Sequence, residues 1–194
     1  MKLVVSSVAA LFLTTGMASA QSWNIEAFGG IALENNLLWD GFGYDTNAGT
    51  TYGIGVSKSD VFIPNLEIGF EISNTTGEYS CCTPNSISGL AGLVTAEYNF
   101  VNNGAFTAYG GIGLGAIQVT YSNFNAVTPY TNRDIVAGGQ AVLGARYAVS
   151  DRLGMFVEAR YISAFSDAIV ARDPATDPAQ FNATNIVFGV RSSF

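Results

Sequence analysis

The sequence predicts an all-β chain: a closed, antiparallel, eight-stranded transmembrane β-barrel of up-and-down topology. Three observations carry that expectation. Apolar residues make up 48% of the 194 positions, yet no run after Leu13 reaches the roughly 18 to 20 apolar residues of a membrane helix. They recur at every second position instead, in segments of about 9 to 11 residues or a little fewer, the length of a tilted membrane strand. The connections between segments alternate between long and short, which places all the long ones at one end of a barrel.

Residues 1–20 precede the first strand as a secretory signal peptide. Lys2 supplies its charge, Leu3 to Leu13 is apolar but for two serines, and Ala18-Ser19-Ala20 is a small-x-small cleavage site. Residues 21–194 are then the barrel domain, exported and beginning near Gln21, with no cysteine at the cut to carry a lipid.

The first strand, Trp23 to Ala32, sets Trp23, Ile25, Ala27 and Ile31 outward and Asn24 and Glu26 inward. The second, Thr51 to Ser57, alternates Tyr52, Ile54 and Val56 with Gly53, Gly55 and Ser57. The third opposes Leu66, Ile68, Phe70 and Ile72 to Glu67, Gly69, Glu71 and Ser73; the fourth opposes Val94, Ala96, Tyr98 and Phe100 to Thr95, Glu97 and Asn99. In the glycine-rich fifth, Phe106 to about Thr120, the outward set is Phe106, Ala108, Ile112, Leu114 and Ala116. The sixth sets Ala137, Ala141, Leu143, Ala145, Tyr147 and Val149 against Gln140, Gly144 and Arg146. In the seventh, Leu153, Met155, Val157, Ala159 and Tyr161 face away from Glu158 and Arg160. The eighth sets Ile186, Phe188, Val190, Ser192 and Phe194 against Val187, Gly189 and Arg191, and must pair with the first.

Long loops are expected at 33–49, 74–85, 121–134 and 164–183, and short turns at 58–65, 101–104 and 150–152. This is the pattern of a bacterial outer-membrane barrel, with short periplasmic turns and long outer loops. Trp23, Tyr98, Phe100, Phe106, Tyr147 and Phe194 then fall at the periplasmic ends, and Tyr161 near the other rim, where amphipathic rings gather.

Composition excludes much chemistry. A net charge of −7 leaves no basic footprint for nucleic acid. Histidine is absent, which removes serine–histidine triads, cysteine–histidine pairs and histidine zinc sites. No catalytic residue, cofactor or metal ligand is expected. Adjacent Cys81 and Cys82 leave three states open: bonded to each other, reduced, or paired between molecules. Gly110-Gly111-Ile112-Gly113-Leu114-Gly115 lacks the following helix of a dinucleotide loop, so it reads as strand lining a narrow barrel. The inward charges Glu26, Glu67, Glu71, Glu97 and Glu158 with Arg146, Arg160 and Arg191 form the candidate lumen network, a plug of ion pairs in an interior too narrow to stay empty. The loops are acidic (Asp40, Asp45 and Glu78 among others) but show no calcium-loop spacing.

The mature chain resembles the small OmpA-like and opacity-type outer-membrane barrels. The stretches that carry the likeness are Gly138-Gly139-Gln140-Ala141-Val142-Leu143-Gly144-Ala145-Arg146-Tyr147, Val149-Ser150-Asp151-Arg152-Leu153, Glu158-Ala159-Arg160-Tyr161 and Ala108-Tyr109-Gly110-Gly111-Ile112-Gly113-Leu114-Gly115. The tail resembles the C-terminal assembly signal of such barrels, a glycine five residues before a terminal aromatic, here Gly189 and Phe194. It departs from that signal at Ser192 and Val187. The resemblance implies a non-catalytic structural, adhesive or surface-interaction role. Its partners would be outer-membrane lipid, lipopolysaccharide and the barrel-assembly machinery. A narrow pore or carrier for small or apolar solutes is the alternative, and a lipid-modifying barrel enzyme the third.

Overall fold

The computed structural model of the protein describes residues 23–39, 42–44, 46–79, 86–123, 130–169 and 178–194. The signal peptide with its cleavage site, Cys81, Cys82, Asp40 and Asp45 lie outside the described residues.

Ten strands are described: β1 (Trp23–Trp39), β2 (Phe42–Tyr44), β3 (Thr46–Lys58), β4 (Leu66–Tyr79), β5 (Ser86–Asn103), β6 (Phe106–Asn123), β7 (Tyr130–Ala148), β8 (Leu153–Ala164), β9 (Ala168–Ile169) and β10 (Pro178–Ser193). Eight of them form an antiparallel ring. β1, β3, β4, β5, β6, β7, β8 and β10 pair in that order, and β10 returns to β1 to close it. The short β2 and β9 add to β1 and β10 at the outer end. Closure removes the unpaired edges that a bilayer cannot tolerate.

The seam joins the two ends of the domain. Glu26 lies opposite Arg191 and Asn24 opposite Ser193. Beyond the last ladder pair, Trp23 N–H donates to Phe194 O at 3.0 Å and Phe194 N–H to Trp23 O at 2.9 Å.

Side chains alternate as the sequence predicts in the lower part of the barrel. Ile54, Val94, Ile112, Leu114, Leu143 and Phe188 stand exposed on the outside, and the phase of β6 is the expected one. Trp23, Tyr98, Phe100, Phe106, Tyr147 and Phe194 line one rim; Tyr52, Tyr161 and Phe165 stand outward towards the other.

The outer end departs from expectation. Much of what the sequence suggests as long loops is strand: β1 runs on to Trp39, β4 to Tyr79, β5 begins at Ser86 and β7 at Tyr130. Glu34, Glu78 and Asp134 therefore sit on strands rather than loops. The physical reason is an inversion of polarity along several of the strands. In the extension the apolar residues turn inward and the polar ones outward. Ile87, Leu93, Ile117, Val119, Tyr121, Ile162 and Phe181 form one buried apolar cluster inside the ring. Outside it, hydroxyls pair across strands, Thr50 with Thr76 at 2.9 Å and Ser122 with Thr131 at 3.2 Å. Within lipid the apolar face must point out; above lipid the same barrel must fold like a water-soluble one. A search for outward apolar residues stops where the polarity inverts.

Candidate functional site

The candidate site is the lumen, built in tiers from the periplasmic end. The lowest tier is uncharged. Asn24 Nδ2 donates to Ser59 Oγ at 3.0 Å, and Ser193 Oγ donates to Asn24 Oδ1 at 2.7 Å.

The second tier holds Glu26 (β1), Glu67 (β4), Glu97 (β5), Arg146 (β7) and Arg191 (β10). Arg191 is the central clamp, with Nη1 3.0 Å from Glu26 Oε1 and Nη2 2.7 Å from Glu67 Oε2. Arg146 reaches three carboxylates at longer range: Glu26 at 3.5 Å, Glu67 at 3.8 Å and Glu97 at 3.5 Å. Glu67 and Glu97 are directly opposite on neighbouring strands, an arrangement of like charges that destabilises a sheet by itself. Arg146 contacts both and offsets their repulsion. Ser57 donates a further hydrogen bond to Glu67.

In the third tier, Arg160 (β8) joins Glu71 (β4) across the lumen at 2.8 Å and Glu158 on its own strand. Tyr109 donates its hydroxyl to the same Glu158. Two rings lie against the guanidiniums: Arg146 Cζ is 4.4 Å from the Tyr109 centroid and Arg160 Cζ is 3.9 Å from that of Phe28. Above this, Thr51 and Thr75 share a hydrogen bond of 3.0 Å, and Asn185 Nδ2 donates to Thr75 at 3.5 Å. The apolar cluster lies above them, in the outer half.

All eight charged residues named from the sequence thus lie in the lumen in two ion-paired groups, Arg146 and Arg191 with Glu26, Glu67 and Glu97, and Arg160 with Glu71 and Glu158. Tyr109 joins them, bonded to Glu158 and lying under Arg146. Strand order explains the arrangement: β7, β8 and β10 are consecutive, so the arginines share one wall, while Glu67, Glu71 and Glu97 come from β4 and β5 opposite. The space left between Glu26, Ser57, Glu67, Glu71, Thr95 and Glu97 is about 10 Å³, room for about one water molecule.

Tyr109, Phe28, Asn24 and Ser57 belong to the site although sequence reasoning did not single them out. Strict alternation places all four: Phe28 shares the phase of Asn24 and Glu26, and Tyr109 lies out of phase with Phe106 and Ala108. Their large rings are matched by inward glycines. A Cβ on Gly144 would stand 2.6 Å from Tyr109 Cζ and 2.7 Å from Glu158 Cγ. Gly189 meets a similar limit, since its Cβ would fall 2.2 Å from Phe156 Cζ. Phe194, the other residue of the assembly-signal resemblance, faces outward at the rim, half exposed.

The family model for the outer membrane protein β-barrel domain matches residues 6–194. The chain belongs to this outer-membrane β-barrel family. Solved structures of the same architecture agree. Neisserial surface protein A is 14% identical, with a TM-score of 0.59 over 91% of this chain and 98% of its own. OprG from Pseudomonas aeruginosa is 14% identical, with a TM-score of 0.54 over 90% of this chain and 95% of its own. Ail, the attachment invasion locus protein of Yersinia pestis, is 10% identical, with a TM-score of 0.53 over 90% of this chain and 98% of its own. At such identities the likeness is one of fold. No curated protein matches the chain in sequence. As an outer-membrane barrel, the chain has its short turns in the periplasm and its strand extensions outside the cell.

Proposed function

We propose that the protein is a non-catalytic, integral outer-membrane barrel whose work is done on its outer surface, in a structural, adhesive or surface-interaction role. The observation that carries this is the filled lumen. Among the described residues, charged side chains occupy the periplasmic half and packed apolar side chains the outer half, an arrangement that disfavours a wide path for a solute. The strands rise beyond the lipid-facing band with a largely polar exterior, a pedestal for the connections between them. Two barrels of the same fold, a surface protein and an attachment protein by name, support the same reading. Lipopolysaccharide surrounds such a pedestal, and the assembly machinery would receive the terminal strand.

The rival is a narrow pore or carrier. Folded protein in a planar bilayer should show no steady conductance in 1 M salt, and vesicles containing it should not leak small solutes. A large, constant single-channel current would overturn the proposal and put the pore first. Cells expressing the barrel should then be compared with cells lacking it for binding to host-derived surfaces.

A further inference from the structure

The three periplasmic turns differ in chemistry. Two are tight: Gly104-Ala105, with Gly104 at a φ of 63°, and residues 149–152, where Val149 and Ser150 N–H both donate to Leu153 O. The third, residues 59–65 between β3 and β4, is longer and carries Val61-Phe62-Ile63 at its tip. Phe62 is 91% exposed, the highest value among the large apolar residues described, and Ile63 is 52% exposed.

This turn is held in shape. Asp60 Oδ1 accepts the Asn65 N–H at 2.9 Å, Val61 N–H donates to Leu66 O at 3.0 Å, and Asn99 N–H donates to Asn65 O at 3.0 Å. Phe62 adopts a φ of 66°, a left-handed conformation that a bulky side chain avoids unless its surroundings impose it. The ring stands away from the protein. In water such a display is unfavourable; in an apolar medium it is not.

The apolar medium nearest to it is the bilayer. Lys58 and Leu66, the residues bounding the turn, both lie in the outward phase. Asn99, bonded to the turn, sits between the outward rings of Tyr98 and Phe100. Lys58 Nζ lies 5.7 Å from the Trp23 centroid. The tip is therefore continuous with the lipid-facing aromatic rim. We infer that Val61-Phe62-Ile63 enters the boundary between headgroups and acyl chains of the periplasmic leaflet, with Lys58 at the level of the phospholipid phosphates. Peptidoglycan, a polar polymer, does not fit an apolar tip whose one carboxylate, Asp60, is engaged within the turn. Apolar insertion flanked by aromatic and basic groups is the general chemistry of interfacial anchoring.

The test uses the full barrel folded into phosphatidylethanolamine–phosphatidylglycerol vesicles, with Cys81 and Cys82 changed to serine. A nitroxide is attached in turn to F62C, to V61C (which keeps the Phe62 ring), to D151C as the aqueous reference and to V94C as the lipid reference. Collisions with oxygen and with a water-soluble nickel chelate are measured for each. Labels at 61 and 62 should be several-fold less accessible to nickel than the label at 151, and enriched in oxygen collisions towards the value at 94. Nickel accessibility at 61 and 62 equal to that at 151 would overturn the inference. So would protection that appears only when periplasmic extract is added, which would mark a protein partner instead.

Discussion

Arg191 Nη2 lies 2.7 Å from Glu67 Oε2, although 124 positions separate the two residues. One belongs to the closing strand and the other to the opposite wall, so the contact exists only when the ring is shut. It ties barrel closure to lumen charge. A half-formed sheet would leave both groups, and Glu26 with them, without this pairing.

Replacing Arg191 with Met should therefore cost about 3 to 5 kcal/mol, the scale of breaking a buried ion pair from one side. The measurement is urea unfolding in lipid vesicles, followed by tryptophan fluorescence. Adding Glu26→Gln and Glu67→Gln to that variant should recover part of the loss, because the stranded charges are then gone. A single variant as stable as the wild type would show that the clamp carries no stability.

Arg160→Ala should loosen the plug differently. It removes the partner of Glu71 and Glu158 and the cation resting on Phe28. Planar-bilayer recording should then show small, flickering conductance where the wild type is silent. Silence in both would mean that the apolar outer half seals the lumen alone.

Lipid exposure should grade along the strands. Val94 lies midway between the outward Tyr98 and Leu90, and Val94→Arg should cost about 2 to 4 kcal/mol. Ile68 begins only two residues into β4, next to the aromatic rim, and Ile68→Arg should cost less, falling towards the roughly 0 to 1 kcal/mol of interfacial sites. Equal penalties at the two positions would contradict the placement of the bilayer. Spin labels from 67 to 72 should meanwhile alternate in accessibility to oxygen with period two.

Gly144 should accept no side chain. Even alanine would press on the Tyr109 ring and on Glu158, both inside the charged tier. Gly144→Val should lower stability by about 1 to 3 kcal/mol, the usual cost of overpacking, or block folding. Combining it with Tyr109→Ala should restore the folded yield, which a purely backbone effect of the glycine would not allow.

Deleting Phe194 removes both backbone bonds to Trp23 and an outward ring at the rim. The folded outer-membrane fraction, read as barrel that migrates differently before and after boiling in detergent, should fall. Normal yield would show that closure starts elsewhere along the seam.

The barrel was legible in the sequence because lipid imposes one rule on every strand. Ile54, Phe70, Val94, Leu143 and Phe188 must point outward, and period two reports that directly. The same rule named Glu26, Glu67, Glu71, Glu97, Glu158, Arg146, Arg160 and Arg191 as inward residues, since no charge of theirs is tolerated in hydrocarbon. Partner choice was only partly legible. Arg191 towards Glu26 follows from closure and Glu158 with Arg160 from a shared strand, whereas Arg160 reaching Glu71 and Arg146 bridging Glu67 and Glu97 depend on the barrel's width and stagger. The outer extension was decided by tertiary structure alone. Ile87, Val119, Tyr121 and Phe181 are buried there against one another, and their alternation runs opposite to that of the lipid band. A linear pattern cannot show where a membrane ends; the folded ring shows it, because polarity inverts at that level on several strands at once.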